Sequence, residues 1–329
     1  MDIILTDKHG RQLRQVEQYN ADFDLALMKT FELTVPAADY TDEMTFGARV
    51  FSPGSEVGGL VGEIHTDTTT GTVSVMGYTW RGLLNKKIIR PPEGEDYLTI
   101  HAELNEIMRQ VTAGMFGDLI RVTDAGTGKV VTWQFDRYVT VYDGLVKMCK
   151  KNGYRLDIKY NQGQPGGSGW VEIGAVPVTD YSDLIEMSQD SRINFTIDDD
   201  RTGINHLIIG GAGDLAERVI VDLYVDQNGN IGDTQYYFGL DEIAGFYDFA
   251  ATSDTDELKA AGESWMKDYM SKKTFRADVE TLDIDADIGD ILGGRDYITG
   301  IVVKKELVNK VVTVENGKAG IDYILEGEI

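Results

Sequence analysis

The chain has 329 residues, with 31 Lys and Arg against 55 Asp and Glu, for a formal net charge of −24. So acidic a chain repels phosphate, which argues against sequence readout of nucleic acid through a basic face. Its 42% hydrophobic and 9% aromatic content still suffices for large cores, so it is acidic without being disordered. Its length corresponds to about two or three domains. The lone Cys149 excludes an internal disulfide and a Cys-based zinc site. The opening MDIILTDKHGRQ is too short an apolar run for a secretory h-region, and no run of about 18 apolar residues exists to span a membrane.

The elements follow from periodicity and breakers. Ile3-Ile4-Leu5, a turn at Asp7–Gly10, then Leu13 and Val16 read as a hairpin. Phe23, Leu25 and Leu27, then Phe31, Leu33 and Val35, alternate with polar residues at the strand period of two. Val57–His65 and Thr72–Tyr78 flank a turn at Asp67–Gly71, so the first ninety or so residues read as an antiparallel meander closing into a small barrel or sandwich. From Leu98 the period changes: Ile100, Leu104, Ile107, Met108 and Val111 predict one helix ending near Gly114. A second helix is predicted over Val141–Lys151 with Gly153 just past its end, followed by strands at Tyr154–Tyr160 and Trp170–Gly174. Strands resume at His206–Gly210 and Arg218–Val225, and a helix is predicted from Asp254 to about Lys272. The end reads as strands Thr274–Leu282, Ile288–Leu292, Ile298–Leu307, Lys310–Val314 and Ala319–Leu325, with an Asn316-Gly317 turn.

Motifs with chemistry are weak. Gly211-Ala212-Gly213 with Ala216 follows an apolar strand as a dinucleotide fingerprint would, but the β-branched Val219–Val225 leaves no room for the helix that must follow, so a glycine-rich turn is expected. Asp226, Asn228 and Asn230 imitate the start of a calcium loop, yet Ile231 and Tyr237 occupy its required Gly and Glu positions, which favours a hairpin turn. Asp198-Asp199-Asp200 reads as a solvated acidic loop. His9, His65, His101 and His206 are scattered without a metal spacing; His101 is placed at a helix start on the surface and His206 in an apolar strand in the core. Cys149 falls on the apolar side of its helix and reads as a core residue. Trp80, Trp133 and Trp170 are placed on strands and Trp265 on a helix face, all as core rather than as a sugar-binding platform. No residue is assigned a catalytic, cofactor-binding or metal-binding role, and no cofactor is expected.

Taken in order, the segments resemble the baseplate hub proteins at the tail tip of long-tailed bacteriophages and prophages. The resemblance is carried by Gly77-Tyr78-Thr79-Trp80-Arg81-Gly82-Leu83-Leu84-Asn85-Lys86-Lys87-Ile88-Ile89, by Asp222–Gly232 and Tyr236–Glu242, and most closely by Ile288-Gly289-Asp290-Ile291-Leu292, Ile298–Val303 and the Asn316-Gly317 hairpin. Lys86-Lys87 stands where arginine is more usual in the family. The resemblance implies a mainly β fold with an α+β insertion: a β-barrel domain over residues 1–92, an α+β domain over 93–200, and a second β-barrel domain over 201–329 with an inserted helix. It further implies a homotrimeric ring in the virion tail tip, not an enzyme. Its partners would be the distal tail protein, the tape-measure protein and tip or fibre proteins, with DNA as passing cargo and no membrane insertion. A good share of the acidic excess would then face the ring axis. The alternatives are a tail-associated cell-wall or polysaccharide hydrolase, suggested by the many carboxylates, and a carbohydrate-binding receptor module, suggested by the tryptophans.

Overall fold

The computed structural model of the protein describes residues 1–164, 166–182, 193–279, 286–295 and 302–326. The chain divides into two compact units, one formed by Met1–Phe195 with Ala277–Glu326 and the other by Thr196–Arg276. The fold is mainly β with α+β parts. Among the described residues, no helix is long and apolar enough to cross a membrane.

The larger unit begins with the predicted meander: β1 (Ile3–Thr6), β2 (Gln12–Val16), β3 (Asn20–Asp24), β4 (Thr30–Pro36), β5 (Arg49–Phe51), β6 (Gly58–Asp67) and β7 (Thr72–Thr79). They pair antiparallel in the spatial order β3-β4-β7-β6-β5-β1-β2. Alternation sends Ala21, Phe23, Phe31, Leu33, Val73 and Val75 into one core, where the Phe23 and Phe31 rings stack 5.5 Å apart. Gly77 in β7 is required because a Cβ there would collide with the Leu60 carbonyl of β6. Helix α1 (Trp80–Asn85) follows directly, capped by the Thr79 hydroxyl, so Trp80 opens a helix and does not lie on a strand.

The next segment differs from its prediction at one end. Thr99–Glu103 form β8, paired with β10 (Val130–Gln134), and helix α2 covers only Leu104–Thr112. The Glu103 carboxylate explains the boundary: it accepts from the N–H groups of Asn105 and Glu106 at 2.9 and 3.1 Å, fixing the helix start there. Ile100 matches the helical spacing but is buried from the strand. Helix α3 (Val141–Lys151) stands as predicted, with Thr140 as its cap and Gly153 at φ +80° beyond its end. Strands β9 (Ile120–Val122), β11 (Tyr154–Asn161) and β12 (Trp170–Pro177) form a three-stranded sheet, and α1, α2 and α3 bury Leu84, Leu104, Met108, Leu145 and Cys149 in the same core as its Leu156 and Ile173.

The chain passes through β13 (Ile193–Asp200) into the smaller unit, so Asp198–Asp200 end a strand where a loop was expected. There β14 (His206–Gly210), β15 (Ile220–Val225), β16 (Ile231–Gly232) and β17 (Ala244–Asp248) make a sheet in the order β16-β15-β14-β17, with β17 parallel to β14. Helix α4 (Thr255–Tyr269), capped by Asp254, covers one face through Leu258 and Met266 against Leu207, Ile209 and Leu223.

The return leg holds β18 (Lys272–Val279), β19 (Ile291–Arg295), β20 (Val302–Glu315) and β21 (Lys318–Leu325). Residues 280–282 and 298–301 of the predicted strands lie outside the described residues. The two strands expected at Ile298–Leu307 and Lys310–Val314 are one strand from Val302 onward, irregular between Leu307 and Asn309. There the buried Asn309 accepts from the Ala26 N–H at 2.7 Å. Strand β20 pairs with β3, placing Val312 opposite Phe23. The Asn316-Gly317 turn closes β20 onto β21 with both residues at positive φ, as a type I′ turn requires. Among the described residues, no pairing joins β2 to β13, the two ends of this sheet path.

Candidate functional site

The alternation that buries Phe23 and Phe31 must put their neighbours on the other side of the sheet. Asp22 and Asp24 on β3, Glu32 on β4, Glu63 on β6 and Asp322 on β21 all stand on that outward face or beside it. Asp22 lies directly opposite Glu32 in the register, and Glu32 opposite Met76, which is itself opposite Glu63. Like charges directly opposite on antiparallel strands repel. Partial burial of Asp22, then the charges of Asp24, Glu32 and Asp322, push its carboxyl above the usual range. Among the described residues, no Lys or Arg forms an ion pair with Asp22, Glu32, Glu63 or Asp322. Together with Met28, Thr30, Tyr78 and Val311, the acids Asp22, Asp24, Glu32 and Glu63 line an open concavity of about 630 Å³.

Buried charges hold that sheet against the α+β part of the same unit. Arg155 on β11 donates to Asp157, Asp287 and Asp290 at 2.8, 2.9 and 3.1 Å, and Lys310 on β20 reaches Asp287 at 2.8 Å. Asp290, fully buried, also accepts from the N–H groups of Thr179 and Asp287. Gly289 sits at φ +102°, and a Cβ there would collide with the Arg155 side chain. The segment Ile288–Leu292 therefore acts as an anchor for the returning chain. Arg81, another buried cation, makes a two-pronged pair with Glu56; burial opposes its charge, and Glu56 more than restores it.

The singled-out motifs resolve as follows. After Gly211–Gly213 the chain makes one short helical turn and returns as the antiparallel β15, the glycine-rich turn expected. The Asp226 carboxylate accepts from the N–H groups of Asn228 and Asn230 at 2.7 and 2.9 Å and closes the β15–β16 hairpin. Cys149 is buried, and that burial pushes its thiol up to about 12. Trp80 is fully buried; Trp265 is partly buried, its ring 4.1 Å from that of Tyr269. Two histidines depart from expectation. His101 is on β8, bonded to the Thr132 hydroxyl at 2.7 Å. His206 is not a core residue: it lies on the sheet face away from α4, between two carboxylates. The apolar run Leu207-Ile208-Ile209 hides this, because only a register can pair His206 with Tyr224 on β15. Among the described residues, no group of three or more His, Cys, Asp or Glu is placed to hold a metal ion.

No protein-family model matches the chain, and no curated protein matches it. Solved structures do. The 43 kDa tail protein of prophage MuSo2 from Shewanella oneidensis matches with a TM-score of 0.53 at 14% identity, covering 99% of this chain and 98% of that one. The prophage tail protein gp18 of Listeria monocytogenes EGD-e matches with a TM-score of 0.51 at 11% identity, covering 100% and 95%. A chain of the phage P2 baseplate in its activated conformation matches with a TM-score of 0.50 at 10% identity, covering 99% and 98%. The protein thus has the fold of phage tail and baseplate proteins along its whole length.

Proposed function

We propose that this chain is a structural hub of a phage or prophage tail tip, a homotrimer whose ring joins the tail tube to the tip and passes DNA at ejection. The observation that carries the reading is the mutual, nearly complete coverage with tail and baseplate proteins, since a shared single domain would cover one chain only in part. In this reading the strand-rich segments within 1–92 and 201–329 supply two barrel-like walls, and 93–200 the α+β domain between them. The distal tail protein, the tape-measure protein and tip or fibre proteins are its neighbours in the virion, and the chain performs no catalysis.

The outward face bearing Asp22, Asp24, Glu32, Glu63 and Asp322 is then the wall of the channel. Carboxylates left without cations cost stability in an isolated sheet, and they suit a surface past which phosphate slides without sticking.

The test is the mass of the full chain mixed with its distal tail protein, followed by electron microscopy. Particles containing three copies around an open centre are expected; a strict monomer at every concentration, with and without that protein, overturns the hub reading. Replacing Asp22, Glu32 and Glu63 by lysine in assembled particles should convert a ring that ignores duplex DNA into one that retains it at low salt. If the altered ring still ignores DNA, these acids do not line the channel.

A further inference from the structure

We propose that His206 is a proton-operated latch that tightens residues 234–242 against the sheet of the smaller unit and loosens them when its ring loses a proton. The geometry is specific. His206 Nδ1 lies 2.6 Å from Glu242 Oε1, and Nε2 lies 2.8 Å from Asp222 Oδ1. Carboxylate oxygens only accept, and a neutral imidazole has a single N–H to give. Both contacts can be hydrogen bonds only if the ring is the doubly protonated cation. The Tyr224 ring stacks on it at 4.5 Å and 24°, which suits a planar cation.

The latch acts on one seam. Beside it, Asn205 donates from Nδ2 to the Asp241 carbonyl at 2.7 Å and accepts from the Ile243 N–H at 2.9 Å, while the His206 N–H donates to the Ile243 carbonyl at 3.2 Å. Those neutral bonds to Asp241 and Ile243 remain when the ring is neutral, so loss of the Glu242 bond weakens the seam without severing it. On the N-terminal side of the seam, residues 235–238 belong to no strand, and Tyr236, Phe238 and Leu240 are exposed at 53%, 63% and 103%. Before it, Asp233 pairs with Lys259 at 2.8 Å; between that pair and the seam the segment has few other ties among the described residues.

The charged and titratable groups facing the ring are Asp222 and Tyr224 from β15 and Glu242 from the segment itself. β17 presents Ala244 opposite His206, and its Asp248 is engaged by Arg218. Burial pulls the imidazole pKa down, but Asp222 and Glu242 outweigh it, and the net displacement is upward from 6.5. A raised value makes the latch fully closed below the unfolded value of 6.5 and open as pH climbs through the folded one.

The experiment follows the full chain by nitrogen NMR of its histidine rings, with His206 assigned through His206→Gln, and by amide exchange over 236–243 corrected for intrinsic rates. Two protonated ring nitrogens are expected at pH 6.5, with a midpoint above the ordinary 6.5. Exchange over 236–243 should rise about tenfold more than in β14 across that midpoint, as suits one lost charge-assisted hydrogen bond. Glu242→Gln should lower the midpoint and open the segment already at pH 6.5, which keeps the test decisive should His206→Gln not fold. A neutral ring at pH 6.5, or the same pH course of exchange in the wild type and Glu242→Gln, overturns the proposal.

Discussion

Two sheets of this protein each carry acids on the face turned away from the core, and they treat that charge in opposite ways. In the larger unit the outward face of β3, β4 and β6 gathers Asp22, Glu32 and Glu63, which have no ion-paired Lys or Arg among the described residues. In the smaller unit the described acids on that face are answered: Asp222 and Glu242 by His206, Asp248 by Arg218. Between those pairs Ile220 and Phe246 stand about half exposed, and Arg218 lies 5.5 Å from the Phe246 ring. The same period-two alternation thus yields one face whose acids repel one another and another whose acids are neutralised beside half-exposed apolar side chains. Alternation decides which residues face outward; the outward residues decide what the face does.

The contrast is tested most severely by the ion cluster that supports the acidic sheet. Arg155→Ala leaves Asp290 buried without its cation and should cost about 3–5 kcal/mol in denaturant unfolding, while Arg218→Ala, which loses a pair with the exposed Asp248 and two bonds to the Gly210 and Gly211 carbonyls, should cost less, about 1–2 kcal/mol. Equal losses would mean that the two units do not differ in how they use charge. In the core behind the α+β sheet, Cys149→Ser should cost about 1–3 kcal/mol by burying a hydroxyl, and the native thiol should resist an aqueous thiol reagent until the protein unfolds.

Smaller and of opposite sign are the effects on the two open faces. Asp22→Asn should stabilise the chain by about 0.2–1 kcal/mol at neutral pH, because it removes a like-charge pair. The folded pKa of Asp22 is raised above 3.8, so its ionisation weakens the fold as pH rises, and the gain from Asn should vanish as the pH falls below that value. Asp222→Asn should instead destabilise slightly below pH 6.5, where the His206 cation needs its partner. Were both substitutions to shift thermal unfolding in the same direction, the distinction between the faces would fail.

Much of the architecture was legible in the sequence. The meander, helix α3 with its Gly153, the Asp254 cap of α4 and the Asn316-Gly317 turn stand where local spacing and turn chemistry put them, since each depends on neighbours within a few residues. Helix α2 was misjudged at its start because Ile100 satisfies a helical spacing by coincidence, and the side-chain cap that sets the true boundary is a glutamate, an uncommon choice there. The open acidic face was legible only in part: a charge of −24 announces acids without saying which of them share a surface.

What the sequence determined by itself, then, was the kind of each element, its in-and-out alternation and the overall acidity, all properties of short range or of composition. Only the tertiary structure decided that β20 closes against β3 across nearly three hundred residues, that Arg155 meets Asp287 and Asp290, and that His206 sits between Asp222 and Glu242. Those encounters depend on strand order and register, which no local pattern encodes, and it is there that the unpaired acids of one face and the paired ones of the other become different surfaces.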